Sequence, residues 1–160
     1  MSAPRLRFRP GTRADRPFFD EVELQTTWDS LSPQEQERTT REHLRAALRE
    51  THAVLLERAG NQVVIAETEF GEKVGLLWFG VNRNLVSGEQ EAWVYNVTVL
   101  PTWQGHGIGK RLLEHAEKLA REGGFSTLGL MVSAHNTVAR RLYHRFGFQE
   151  TNLVMRKVVA

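Results

Sequence analysis

Val97-Thr98-Val99-Leu100-Pro101-Thr102-Trp103-Gln104-Gly105-His106-Gly107-Ile108-Gly109-Lys110 is the stretch that decides the fold. The β-branched run reads as a strand, Pro101 stops it, and a Gly-rich loop leads directly into a helix. Glycines at 105, 107 and 109 leave consecutive backbone N–H groups with few side chains in the way. Because a helix begins at once, those groups stand at the positive end of its dipole. The combination is a ready site for a phosphate or pyrophosphate.

Two familiar phosphate loops do not fit. A P-loop places a hydroxyl after its lysine to reach magnesium, but Gly109-Lys110 is followed by Arg111. A dinucleotide fingerprint needs G-x-G-x-x-G early in a βαβ unit, with an acidic residue at the end of the next strand. Here the spacing is G-x-G-x-G, well along the chain, and Glu122 falls at a helix end. A plain strand-to-helix turn would use the same glycines, so the loop alone does not decide its ligand.

The residues downstream do more. Gln104-Gly105-His106-Gly107-Ile108-Gly109 fits Q/R-x-x-G-x-G/A. A second block, Asn136-Thr137-Val138-Ala139-Arg140-Arg141-Leu142-Tyr143-His144-Arg145-Phe146-Gly147-Phe148, fits Asn-x-x-Ala-x-x-Leu-Tyr-x-x-x-Gly-Phe. On these two blocks the chain resembles the GNAT superfamily of acyl-CoA-dependent N-acetyltransferases. The resemblance implies an acetyl-CoA co-substrate whose pyrophosphate is gripped by the backbone from Gln104 through Gly105, His106, Gly107 and Ile108 to Gly109. Gln104 stands where Arg is more usual, which removes a charge from the phosphate site, and Lys110 and Arg111 are cations nearby. It also implies backbone contacts from Val97 and Val99 to the pantetheine amides, in a gap where two strands splay. Asn136 would cap the last helix and bond near the pantetheine. Tyr143 would contact the cofactor and act as the general acid that protonates the leaving CoA thiolate.

Composition is consistent with one domain over residues 1–160, long enough to bury a core. No apolar run approaches the ~20 residues that span a bilayer, and Met1-Ser2-Ala3-Pro4-Arg5 lacks the apolar region of a signal peptide. A cytoplasmic protein without a membrane partner is the expectation. With 0 cysteines there is no disulfide, Cys metal site or Cys nucleophile, and no metal is expected. A net charge of +2 does not argue for nucleic acid. The arginines at 5, 7, 9, 13 and 16 read as a solvated face.

The chain reads β-α-α-β-β-β-α-β-α-β, an α/β (α+β) pattern. Together with the resemblance it predicts a mixed, mostly antiparallel sheet with helices on both faces. Leu6–Arg9 is a first strand, and Thr12 with Asp15 makes a capping-box start for a helix fading near Ser30. Ser32-Pro33 starts a second helix that runs into the fifties, with Leu44, Leu48, Thr51 and Leu55 at helical spacing. Whether residues 53–58 are helix or strand is open. Residues 63–66 and 73–81 form a hairpin, and 92–99 a third strand. A helix runs from Gly107 to Glu122 with an apolar stripe and is closed by Gly123-Gly124. Then come a short strand at 128–132, a helix at 136–146 and a last strand at 153–159.

A general base is harder to find. Positions where relatives carry a carboxylate hold Met131, Tyr95 and Asn96. Glu91 is the nearest carboxylate candidate, acting through water. His106 and His135 have suitable intrinsic pKa values, and deprotonation without a dedicated side chain stays open. Trp28, Trp78, Trp93, Tyr95 and Asn96 are candidates for an acceptor pocket, with Trp93, Tyr95, Val97 and Val99 on one strand face by alternation. The expected acceptor is a small-molecule or peptide amine, attacked directly in a ternary complex. A homodimer is a possible assembly. The alternative is a non-catalytic acyl-CoA-binding or regulatory module on the same fold.

Overall fold

The computed structural model describes residues 4–160. Strands β1 (Leu6–Pro10), β2 (Gln62–Thr68), β3 (Lys73–Arg83), β4 (Gln90–Val99) and β5 (Leu128–Leu130) lie in that order in one sheet. The first three junctions are antiparallel and β4–β5 is parallel. A parallel pair needs a crossover, and the chain supplies helix α4 (Ile108–Glu122) between β4 and β5. Helices α1 (Arg16–Ser30), α2 (Pro33–Glu37) and α3 (Arg41–Leu55) lie between β1 and β2, and α5 (Thr137–Phe146) follows β5.

Each face of the sheet has its own core. On one, the α4 stripe of Ile108, Leu112, Ala116 and Ala120 packs against Val64, Ala66, Leu77, Phe79 and Val94. On the other, Phe19 and Val22 of α1 pack against Ile65, Leu76 and Trp78. The expected helices on both faces are therefore present. Fully burying one such large apolar side chain contributes about 1.5–3 kcal/mol, so these stripes hold α1 and α4 in place.

Two expectations need correction, and one open point is decided. The helix expected from Ser32 into the fifties is two helices, broken at 38–40. Thr40 takes an extended conformation and its hydroxyl caps α3 by accepting from His43 N–H at 3.1 Å. α3 ends at Leu55, so residues 53–58 contain no strand. The expected last strand at 153–159 does not form: residues 151–160 carry no regular structure, and Leu153, Met155 and Val159 are exposed. Leu153-Val154-Met155 does not alternate with polar residues, and β5 has only three residues to offer a neighbour.

The N-terminal arginines are not all a solvated face. Arg9 forms two bonds to the Asp15 carboxylate, at 2.7 and 2.9 Å, and reaches Glu67 at 3.0 Å. Arg7 pairs with Glu67, and Lys73 approaches Asp15 at 2.9 Å. The expected Thr12–Asp15 capping box is present. Asp15 is only 2% exposed. Its hydrogen bond from Arg9, helped by Lys73 and the Thr12 N–H, holds its carboxyl well below the usual range. A lowered native pKa adds stability above the unfolded value of about 4 that is lost as pH falls toward the native one. Removing one partner of a buried ion pair costs about 3 kcal/mol. Asp15→Asn should therefore lower unfolding free energy by about that amount at pH 7, and should flatten the fall in stability below pH 4. Urea titrations of both proteins across that range provide the check.

Candidate active site

β4 has two partners at its start and one at its end. Its pairing with β5 covers only Ala92↔Leu128, Trp93↔Gly129 and Val94↔Leu130. Its pairing with β3 runs on to Val99↔Gly75 but skips Tyr95, because Trp78 faces Asn96 and Phe79 faces Val94. Tyr95 is the extra residue of a β-bulge, which bends a strand locally. Gly80 opposite makes room for it, since a Cβ there would lie 2.5 Å from Tyr95 Cε2. β4 and β5 part just where the bulge falls. Beyond it, Leu100 N–H donates to Val74 O of β3, so the Val99 carbonyl points to the open edge, where Gln104 Nε2 donates to it at 3.1 Å. Strand alternation turns the Val97 backbone groups to the same edge.

The open edge leads into the Gly loop. Gly105 and Gly107 have φ of +81° and +75°, the left-handed region, and Gly107 is the N-cap of α4. No atom lies within 4 Å of where a Cβ on either would sit. The first intrahelical bond is Arg111 N–H to Gly107 O. Among the described residues, the backbone N–H groups from Gly105 to Lys110 have no acceptor. Orphan donors at a helix N-terminus are the groups that grip an anion, so this loop fits a pyrophosphate. Gln104 does not enter the loop as a donor; its side chain covers Val99 instead. His106 is held by the Trp103 and Gln104 carbonyls at 3.1 Å, and Lys110 reaches Glu114 at 3.9 Å on the solvent side.

α5 stands beside this loop. A Cβ on Gly109 would lie 3.4 Å from Leu142 Cδ2, so the start of α4 stands in van der Waals reach of α5. Asn136 caps α5 by accepting from Ala139 N–H at 3.2 Å. Gly147, at φ +104°, ends the helix, and Phe148 folds back so that its ring meets Tyr143 edge-on at 5.8 Å. Burial raises the Tyr143 pKa above that of an ordinary phenol, so it carries its proton at neutral pH.

Of the remaining candidates, Trp78, Tyr95 and Asn96 meet at the bulge, and the others lie apart from them. The bulge breaks the alternation expected for β4: Val97 and Val99 join Val94 on the α4 face, while Tyr95 joins Trp78 on the other. Trp78 is buried and stacks at 4.6 Å on Tyr95, which is partly buried against the same core. Trp28 lies under the Arg41 guanidinium at 4.8 Å, and Trp93 lies against Gly129. Glu91 also lies over Gly129, in register with Asn82. At ~3.3 Å per residue it is about 13 Å along β4 from the Tyr95 bulge, beyond the reach of a single bridging water. His135 is spent on the Asp29 carbonyl at 2.9 Å. Among the described residues no group of three or more His, Asp or Glu is placed to hold a metal, and no helix is long and apolar enough to cross a membrane.

Sequence reasoning missed one polar cluster. Glu23 of α1 and His52 of α3 are buried, at 6% and 2% exposure, with Glu23 Oε1 2.8 Å from His52 Nε2. Asn96 Nδ2 donates to Glu23 Oε2 and, at 2.9 Å, to Thr26 Oγ1, while Thr98 Oγ1 donates to Asn96 Oδ1 at 2.6 Å. The signal was present. Glu23 is i+4 from Phe19 in the stripe Phe19, Val22, Glu23, Thr26, and His52 is i+4 from Leu48.

A sheet splayed at mid-strand beside an N–H-lined loop is the GNAT architecture that the two motifs imply. The sequence matches the acetyltransferase (GNAT) family over residues 24–148, and the chain belongs to that family. It is 39% identical over 84 residues to an uncharacterized N-acetyltransferase of Bacillus subtilis, covering 52% of this chain and 53% of that protein. It is 43% identical over 63 residues to the ribosomal protein bS18 alanine N-acetyltransferase of Haemophilus influenzae, covering 39% and 42%. The chain thus spans about half the length of these curated relatives. A solved acetyltransferase of Pyrococcus furiosus shares the fold, with TM-score 0.79 at 23% identity over 97% of this chain and 100% of that one.

If the loop is the pyrophosphate cradle, acetyl-CoA will raise the melting temperature. At a hundredfold excess over Kd the native state gains about 2.7 kcal/mol. Gly107→Asp places an anion where the N–H groups converge and should abolish the shift in a protein that still folds. Differential scanning fluorimetry with and without acetyl-CoA measures both. An undiminished shift in the folded variant would remove the loop from the binding site.

Proposed function

We propose that this chain transfers the acetyl group of acetyl-CoA to a primary amine by direct attack in a ternary complex. One observation carries the reading: two sets of unpaired backbone groups, on the open edge of β4 past Val94 and on the loop from Gly105 to Lys110, flank the short turn at 100–104. A ligand with peptide-like amides followed by a pyrophosphate matches both sets, amides on Val97 and Val99 and anion on Gly105 to Lys110. The reacting end then lies at the splay beside the bulge. Membership in the acetyltransferase family supports the assignment.

The chain contains no cysteine, so no Cys acyl-enzyme can form, which supports attack by the amine on the thioester itself. As the tetrahedral centre collapses, the departing sulfur needs a proton, and the protonated Tyr143 phenol is suited to give it. The acceptor is an amine of a small molecule or a peptide. The relative that acetylates an alanine of a ribosomal protein supports the peptide option. Cytoplasm, where acetyl-CoA is made and used, is the compartment this reading implies.

The test is acetyl-CoA consumption with spermidine, kanamycin and an Ala-initiated peptide as acceptors. Acetylated product, identified by mass, is the expected result. Binding of acetyl-CoA with no transfer to any amine would favour a non-catalytic binding module. With an acceptor in hand, Tyr143→Phe should lower kcat by roughly 10²-fold and leave acetyl-CoA affinity nearly unchanged. Glu91→Gln should leave both as they are. Wild-type turnover by Tyr143→Phe, with chemistry rate-limiting, would exclude Tyr143 as the acid.

A further inference from the structure

Glu23 is a buried carboxylate at the splay. One oxygen is on His52 Nε2 at 2.8 Å and the other is on Asn96 Nδ2. A glutamine there could meet the same two partners, its oxygen accepting from Asn96 and its nitrogen donating to His52. Packing and hydrogen bonding alone therefore do not call for a charge, and burying a charge is costly. Asn96 is the residue after the bulge and lies just beyond the last β4–β5 pair. One side-chain amide thus separates Glu23 from the place where the two strands part. α1 also reaches across that gap. Ser133 Oγ donates to Ser30 O at 2.7 Å and His135 Nε2 bonds Asp29 O at 2.9 Å, tying the C-terminal end of α1 to the segment after β5. An amine bound at the splay would have the Asn96–Glu23 pair on its α1 side.

We propose that Glu23 is the general base that takes the proton of the acceptor ammonium. The inference rests on the acetyl-transfer reading above. One N–H bond of the ammonium breaks as an O–H bond forms on Glu23, freeing the nitrogen lone pair. That pair forms the C–N bond, and the C–S bond breaks as Tyr143 protonates the sulfur. The second nitrogen proton restores the Tyr143 phenol. One proton, the one on Glu23, remains to be released to solvent, as the overall reaction requires. On its far side His52 faces Asp20, with Nδ1 3.9 Å from Asp20 Oδ1, and Asp20 is partly exposed and bonded to Arg16 at 2.8 Å. These are the charged or titratable groups facing Glu23 from α1 and α3. From β4 comes the Tyr95 phenol, whose hydroxyl donates to Val81 O at 3.3 Å; β3 brings Trp78, which does not titrate. His52 is a positioning residue, with its ring between Phe19 and Trp78 at 4.9 and 5.5 Å.

The experiment is the pH profile of kcat/KM for wild type and Glu23→Gln, with whichever of spermidine, kanamycin or the Ala-initiated peptide is turned over fastest. The variant should keep its melting temperature and its acetyl-CoA affinity and lose about 10²-fold in kcat/KM at pH 7. The deficit should shrink as the pH passes the pKa of the acceptor, because the amine then arrives already neutral. Wild-type kcat/KM, or an equal loss at every pH, overturns the proposal. Should Glu23→Gln fail to fold, Glu23→Asp keeps the charge and withdraws it by one methylene. About a tenfold loss with the wild-type pH dependence supports a transfer steep in distance, and undiminished turnover overturns it. If wild type acetylates none of the three amines, the acetyl-transfer reading falls and this assignment with it. If wild type is active and Glu23→Gln matches it, only the assignment falls.

Discussion

Strand β4 changes partners at one residue, and the site follows from that change. Up to Val94 it is held on both sides, and after the Tyr95 bulge it is held by β3 alone. An extra residue in one strand shifts every later side chain to the opposite face. Val97 and Val99 therefore turn toward α4, while Asn96 and Thr98 turn toward α1. The same bend removes β5 from the edge of β4. A row of backbone amides is left unpaired in the middle of a sheet, where such groups are otherwise satisfied.

Unpaired backbone groups are a cost unless water or a ligand takes them. Here they sit on the exposed loop and along the open edge, where water can serve until a ligand displaces it. Glycine supplies the geometry of the loop. The positive φ at Gly105 and Gly107 is one that residues with a Cβ rarely adopt, and it leaves the loop N–H groups without a Cβ to block approach. α4 cannot drift from this arrangement, because Ile108, Leu112 and Ala116 are buried against the sheet. The core thus fixes the position of the loop and of its unpaired N–H groups.

The opposite face of the sheet is built differently. Its core is aromatic, with Phe19, Trp78 and Tyr95 in contact, yet it holds a glutamate, a histidine and an asparagine whose hydrogen bonds are met by one another. A polar network of this kind is stable only when every member is satisfied, and among the described residues no buried side-chain nitrogen or oxygen lacks a partner. The division has a consequence for the fold. One face carries the plain apolar packing that positions the loop, and the other places ionisable groups next to the splay.

The parts of the protein written in local patterns were legible without a structure. The Gly loop, the α4 stripe, the Thr12–Asp15 capping box, the Ser32-Pro33 helix start and the Asn136 cap all depend on residues a few positions apart, where helix and turn geometry impose their own spacing. What the sequence could not decide was which distant residues would meet. Glu23 and Asn96 are 73 positions apart, and Glu23 and His52 are 29 apart. Their meeting depends on the bulge register and on the angle at which α1 crosses β4. Strand alternation placed Trp93, Tyr95, Val97 and Val99 on one face, and one unforeseen extra residue undid it. The segment at 153–159 has the composition of a strand, but a strand exists only where an edge is offered to it, and only tertiary structure decides that.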